Sequence, residues 1–323
     1  MTTTHTLQTA EADVVYDVHG PLPTADGRPP LFMIGQPMTA GGFGTLASHF
    51  ADRTVVTYDP RGLGRSTRKD GRVDNTPTLQ ANDLHAIIGA LGAGPVEVFA
   101  SSGGAVTALA LVAAYPDEVT ILVAHEPPLI PVLDDAAAAE RARARVRDVY
   151  EANGWGAGMA AFSTMASWQG EFTEEYFAQP SADPAVFGMP GEDDGSRDDP
   201  LLSDRSWAIT SYRPDVDALS AGPTRVVIAV GEESGSNFTG RTSVATADLL
   251  GQRATVFPSH HGGFLGGESG YAGQPEAFAS RLREILDEGQ TPRDPRRGLL
   301  RGRRQVQLRR QAPPTNFNSR SAL

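Results

Sequence analysis

The sequence predicts an α/β fold with a mostly parallel central sheet. Three observations predict it. Short apolar runs rich in β-branched and aromatic residues alternate along the chain with segments of helical periodicity. The run at 96–99 stops abruptly at the small residues Ser101-Ser102-Gly103-Gly104, and a helical pattern follows at once. Of the 323 residues, 40% are hydrophobic and 21% charged, a composition suited to a large buried core.

Taken in order, strands are expected at 13–18, 31–34, 54–58, 96–99, 119–124, 224–230 and 254–257. Each is a short apolar stretch bounded by Gly, Pro or Asp. Helices are expected at 45–50, 78–91, 105–114, 243–250 and 275–288. The second of these places Leu79, Leu84, Ile87, Ile88 and Leu91 at helical spacing. The strand–helix rhythm breaks between 129 and 221. That insert opens with an Ala/Arg-rich helix at 136–150 and holds all three tryptophans, Trp155, Trp168 and Trp207. Its aromatic and Met residues either pack a small core of the insert's own or form an apolar lid. The expected organisation is a first core part at 1–128, a helical cap at 129–221, a second core part at 222–288 and a disordered Arg-rich tail at 289–323.

Charge and cysteine usage narrow the chemistry. The chain has no cysteine, which excludes disulfides, thiolate metal sites and a thiol nucleophile. Net charge is −11, although the tail carries nine arginines against Asp294. An acidic body repels nucleic acid, so no nucleic-acid partner is expected. The first 13 residues are Thr-rich, with no apolar stretch, and His5 falls in what reads as a frayed terminus. No membrane-spanning run occurs, so a cytoplasmic protein with no membrane partner is expected. There is no G-x-G-x-x-G, no P-loop and no convincing metal-ligand spacing; neither cofactor nor metal is expected.

The turn at Ser102 carries the chemistry. Ala100-Ser101-Ser102-Gly103-Gly104 matches G-x-S-x-G with Ala100 in place of the first glycine. A serine at the apex of a strand–helix turn exposes its Oγ beside the N–H groups of a helix start. An ordinary helix-capping serine would fit the same local pattern.

Three further segments, in the expected order, make the chain resemble the α/β-hydrolase superfamily over about residues 12–288. They are Leu31-Phe-Met-Ile-Gly35-Gln36-Pro37, Tyr58-Asp59-Pro60-Arg61-Gly62-Leu63-Gly64-Arg65-Ser66, and Pro258-Ser259-His260-His261-Gly262-Gly263-Phe264. The resemblance implies Ser102 as nucleophile, His261 rather than His260 as general base, and backbone N–H groups of Gln36 and Gly103 as an oxyanion hole. The acid of most relatives falls three residues past a glycine after the strand at 224–230. Here Gly231 puts Ser234 in that slot, and a serine cannot balance an imidazolium as a carboxylate does. Glu126, at the end of the strand following the nucleophile helix, is the preferred acid, with Glu232 and Glu233 as alternatives. A subset of the superfamily places its acid there, including lactonases that open resorcylic (zearalenone-type) macrolactones.

The expectation is therefore a cofactor-free serine hydrolase acting on a small apolar carboxylic ester or lactone. Trp155, Met159, Phe162 and Trp168 of the insert are candidate substrate contacts. A perhydrolase, a C–C bond hydrolase and a non-catalytic ligand-binding homologue remain as alternatives.

Overall fold

In the computed structural model, residues 1–268, 270 and 272–288 are described. The expected tail at 289–323 lies outside the described residues. Among the described residues, nine strands form one mixed sheet: β1 (Thr2–Gln8), β2 (Ala12–His19), β3 (Leu31–Ile34), β4 (Val55–Tyr58), β5 (Thr67–Arg68), β6 (Val96–Ser101), β7 (Val119–His125), β8 (Arg225–Gly231) and β9 (Thr255–Phe257). Their order is β1-β2-β4-β3-β6-β7-β8-β9, with β5 alongside β2. From β4 to β9 every pairing is parallel; those made by β2 are antiparallel.

The central strands are apolar on both faces because both faces are covered. Phe32, Ile34, Val98, Ala100, Leu122 and Ala124 point to one core, which they share with α2 (Pro77–Leu91) and α3 (Gly103–Ala114), α1 being the short helix Gly44–Ser48. The intervening Leu31, Met33, Phe99, Ile121 and Val123 point to the other. A period of two sends successive side chains to opposite faces, so a run apolar at every position marks a strand buried on both sides. Crossover helices between parallel strands supply that cover.

The insert contains α4 (Ala136–Ser167), α5 (Glu174–Phe177), α6 (Trp207–Thr210) and α7 (Val216–Ala221). The sequence pattern stops the first helix at 150; the structure continues it to Ser167, broken only at Gly154 with φ 82°. Gly154 takes this conformation at no steric cost, and a Cβ there would fall 2.3 Å from Asp193 Oδ1 of the facing loop. An apolar cluster of the insert's own, including Tyr150, Met165, Phe172, Tyr176 and Leu202, also takes in Phe238 of α8 (Phe238–Leu249). The last helix, α9 (Pro275–Glu288), buries Phe278, Leu282, Ile285 and Leu286 against the second core.

The frayed N-terminus is overturned. Residues 2–8 form β1, paired in register with β2 from Thr2↔His19 to Gln8↔Asp13. Almost all of β1 is exposed, so no alternating apolar face announces it. Threonine's preference for extended backbone was the signal available. His5 there stacks on Tyr16 of β2 at 5.1 Å.

Candidate active site

Ser102 is the single residue between β6 and α3, with φ 56° and ψ −130°. Its N–H donates to His125 O at 2.9 Å, and its carbonyl accepts from Ala105 N at 2.9 Å. Such a backbone costs an L-residue of order 1–3 kcal/mol and persists where the surroundings impose it. The surroundings here are close. A Cβ on Gly103 would meet Gln36 O at 2.7 Å, and one on Gly104 would meet Ile34 O at 2.5 Å. The small residues that follow Ser102 let the loop after β3 lie directly on the start of α3.

Among the described residues only Ser102, Glu126 and Ser259 combine a side chain with positive φ. All three follow the C-terminal ends of parallel strands: β6, β7 and β9. Strained residues gathered at one sheet edge are a mark of functional sites, and that edge is where open α/β sheets bind ligands.

Glu126 is fully buried. Its Oε2 accepts from His261 Nδ1 at 2.6 Å and from the Thr239 hydroxyl at 2.6 Å. Its Oε1 accepts from Gly231 N–H at 2.9 Å and from the Ser234 hydroxyl. Burial pushes the carboxyl pKa up, but hydrogen bonding and charge from His261, with His125 and Ser234, outweigh it and hold the group well below the usual range. Glu126 is therefore an ionised carboxylate with four donors.

The His261 side chain is 37% exposed. With Nδ1 committed to Glu126, Nε2 has no partner among the described residues, nor does the Ser102 hydroxyl. The structure thus joins Glu126 to His261 and leaves the Ser102–His261 hydrogen bond unformed. His125 links the two halves. Its carbonyl takes the Ser102 N–H, its Nδ1 lies 3.2 Å from Ser101 Oγ, and its ring stacks with that of His261 at 6.1 Å. Fully buried against Phe99, Phe257, Phe264 and Phe278, its imidazole is pushed down to about 4 by desolvation. His125 is neutral at physiological pH.

The other histidine and the alternative acids lie elsewhere. His260 Nδ1 accepts from Gly262 N–H at 3.0 Å. Glu232 accepts from Ser259 N–H at 3.3 Å, and Glu233 from Gln274 Nε2 at 3.2 Å; both glutamates are exposed. Ser234, by contrast, is buried and bonded to Glu126. The sequence offers Ser234 only as a missing acid, whereas in the fold its hydroxyl donates to the Glu126 carboxylate, which follows another strand. Thr239, at the second position of α8, carries no sequence signal of a role here.

Gln36 is buried against Gly103. Among the described residues no acceptor takes the backbone N–H of either Gln36 or Gly103. The Gln36 side-chain amide is also buried without a partner. Donors left free beside a serine hydroxyl are what an oxyanion requires. Asp59 and Arg61 serve the turn instead: Asp59 accepts from Ala40 N–H and Arg65, while Arg61 forms a bidentate pair with Asp83.

Trp155, Met159, Phe162 and Trp168 pack against the insert's own apolar cluster. Trp155 Nε1 donates to Asp199 at 3.0 Å, and Trp168 Nε1 to Glu171 O at 2.9 Å. Phe162 also lines a cavity of about 60 Å³ with Phe238, whose neighbour Thr239 holds Glu126. Among the described residues no group of three or more His, Asp or Glu could hold a metal, and no helix is long and apolar enough to cross a membrane.

Known proteins resemble this chain in sequence or fold. Residues 35–157 match the family model described as alpha/beta hydrolase fold. An uncharacterized hydrolase, YraK of Bacillus subtilis (strain 168), is 26% identical over 290 residues, spanning 88% of this chain and 96% of its own. Among solved structures, a thermophilic esterase from Thermogutta terrifontis, with malate bound, superposes with a TM-score of 0.58 at 20% identity, over 90% of this chain and 100% of that one. A proline iminopeptidase from Mycobacterium smegmatis gives 0.55 at 19%, over 89% and 98%.

Proposed function

With the α/β-hydrolase fold as its scaffold, we propose that this chain is a serine hydrolase that cleaves a carboxylic ester or lactone through an acyl-enzyme. The observation that carries the reading is the His261–Glu126 hydrogen bond, set at the same sheet edge as the strained Ser102. In this reading Ser102 Oγ attacks the carbonyl carbon while His261 Nε2 takes its proton. Glu126 holds the imidazole with Nδ1 protonated and balances the imidazolium that forms. The N–H groups of Gln36 and Gly103 receive the tetrahedral oxyanion. His261 then protonates the leaving alcohol, and water activated by His261 releases the acid. These groups supply nucleophile, base and oxyanion donors without a cofactor.

Before turnover the Ser102 hydroxyl has to swing to Nε2, and free enzymes often hold that contact long. The apolar cluster of the insert includes Phe238, the chain neighbour of Thr239, which bonds to Glu126; this supports a small apolar substrate. A serine rather than an aspartate between β6 and α3 disfavours epoxide or haloalkane chemistry, which needs a carboxylate nucleophile.

Labelling with a fluorophosphonate tests the reading directly. The parent protein should react at Ser102 and hydrolyse p-nitrophenyl esters, and Ser102→Ala should do neither while keeping its circular dichroism. A folded Ser102→Ala variant that retained most of the parent kcat would reject the nucleophile.

A further inference from the structure

The Glu126 carboxylate receives more donors than a histidine partner alone would supply. Three of the four come from outside both its own strand and the histidine loop: the last residue of β8, the loop after it, and the second residue of α8. A glutamate has three side-chain torsions, so burial alone does not point one oxygen at His261. The donors do that. Thr239 shares Oε2 with His261, while Ser234 and Gly231 N–H hold Oε1. The Thr239 hydroxyl has one proton and a second acceptor, Asn237 Oδ1, at 3.3 Å; the 2.6 Å contact to the Glu126 carboxylate claims the proton. Ser234 is 1% exposed, so its hydroxyl has no solvent alternative.

We propose that Ser234 and Thr239 are positioning residues whose hydroxyls fix the Glu126 carboxylate and aim its Oε2 at His261 Nδ1. This rests on the serine-hydrolase reading above. Neither hydroxyl touches the substrate; both act through the carboxylate. Removing a donor raises the proton affinity of Glu126, because hydrogen bonds to the charged form are lost. A more basic carboxylate in turn holds the His261 proton more tightly, which delays the imidazole's return to its neutral, basic form.

The test compares hydroxyl with shape at one position. Thr239→Val keeps the branched outline and loses the proton donor; Thr239→Ser keeps the donor and loses a methyl group. Positioning by the hydroxyl predicts that Thr239→Val lowers kcat on a p-nitrophenyl ester by about 10- to 100-fold with KM within about twofold, while Thr239→Ser stays within about threefold of the parent. The acid limb of kcat/KM should move to higher pH in Thr239→Val. Ser234→Ala should behave like Thr239→Val, and it carries the test through Oε1 should Thr239→Val not fold. A mere packing role reverses the order, with Thr239→Ser the more damaged. That reversal, or hydroxyl-free variants within about twofold of the parent kcat, overturns the proposal. Glu126→Gln, measured alongside, separates the two failures. If Glu126→Gln is crippled and the hydroxyl variants are not, only the positioning role falls. If Glu126→Gln is fully active, the triad reading itself is lost.

Discussion

His261 Nδ1 lies 2.6 Å from Glu126 Oε2, so the loop after the last strand is bonded to the residue that follows β7. The slot after β8, where Ser234 stands, supplies a hydroxyl to that carboxylate instead of a second acid.

Glu126→Gln should lower kcat by roughly 10²- to 10⁴-fold, as expected when a histidine loses the carboxylate that orients it. Glu232→Gln and Glu233→Gln should each stay within about tenfold of the parent, because their carboxylates bond to Ser259 N–H and Gln274 rather than to His261. Steady-state kinetics on one ester ranks the three; an inverted ranking would move the acid to the loop after β8.

Buried, neutral His125 should make stability depend on pH. Its folded pKa, about 4, lies below the unfolded value near 6.5, so between these the unfolded chain binds more protons. Stability is then full above about pH 6.5 and falls as the pH drops, by about 2 kcal/mol between pH 7 and pH 5. Glu126 acts lower: its depressed pKa contributes stability that is lost only as pH falls below the normal carboxylate range. Urea unfolding of the parent and of His125→Phe isolates the histidine. A slope left unchanged by the substitution would dismiss this account.

Gly104→Ala should be severely damaging although it adds one methyl group. The new Cβ would sit 2.5 Å from Ile34 O and 2.7 Å from Gly35 Cα, backbone atoms at the end of β3 that cannot swing away. Overpacking of this kind costs about 1–3 kcal/mol, and relief by a shifted loop would displace Gln36 from its place against Gly103. The expected signature is a lower melting temperature together with slower fluorophosphonate labelling; a variant equal to the parent in both would show that the loop yields freely.

In the insert, Trp155→Phe should cost about 1 kcal/mol, since the ring area is largely kept and the bond to Asp199 is lost. Phe162→Ala should also raise KM for long acyl esters above its effect on acetate esters, if the cavity that Phe162 lines together with Phe238 takes part of the acyl chain. Equal changes in KM across chain lengths would confine Phe162 to packing.

Much of this molecule is legible along the chain because its signals are local. Every position of Leu31–Ile34 and Val55–Tyr58 is apolar or buried, and doubly covered strands need such runs. The turn around Ser102 is written in the two glycines that let another loop approach within contact of them. β1 is not legible in this way, because an exposed edge strand has no apolar face to display. Nor is the extent of α4, because Gly154 interrupts the pattern and the helix resumes on packing supplied by a loop some forty residues away.

By itself, the sequence determined the fold class, the serine at the strand–helix turn, the histidine in the glycine-rich loop, and a short set of carboxylates from which the acid could come. The fold class follows from residue type, spacing and periodicity, and the site candidates from the resemblance of short motifs; both rest on neighbours in the chain. Only the tertiary structure decided which carboxylate meets His261. Glu126 and His261 are 135 positions apart, and Ser234 and Thr239 are separated from Glu126 by more than a hundred. Their meeting depends on β7, β8 and β9 lying side by side and in register, so that three strand ends place donors and acceptor within hydrogen-bond reach. That register is set by packing against both faces of the sheet, a property of the folded core that no local pattern contains.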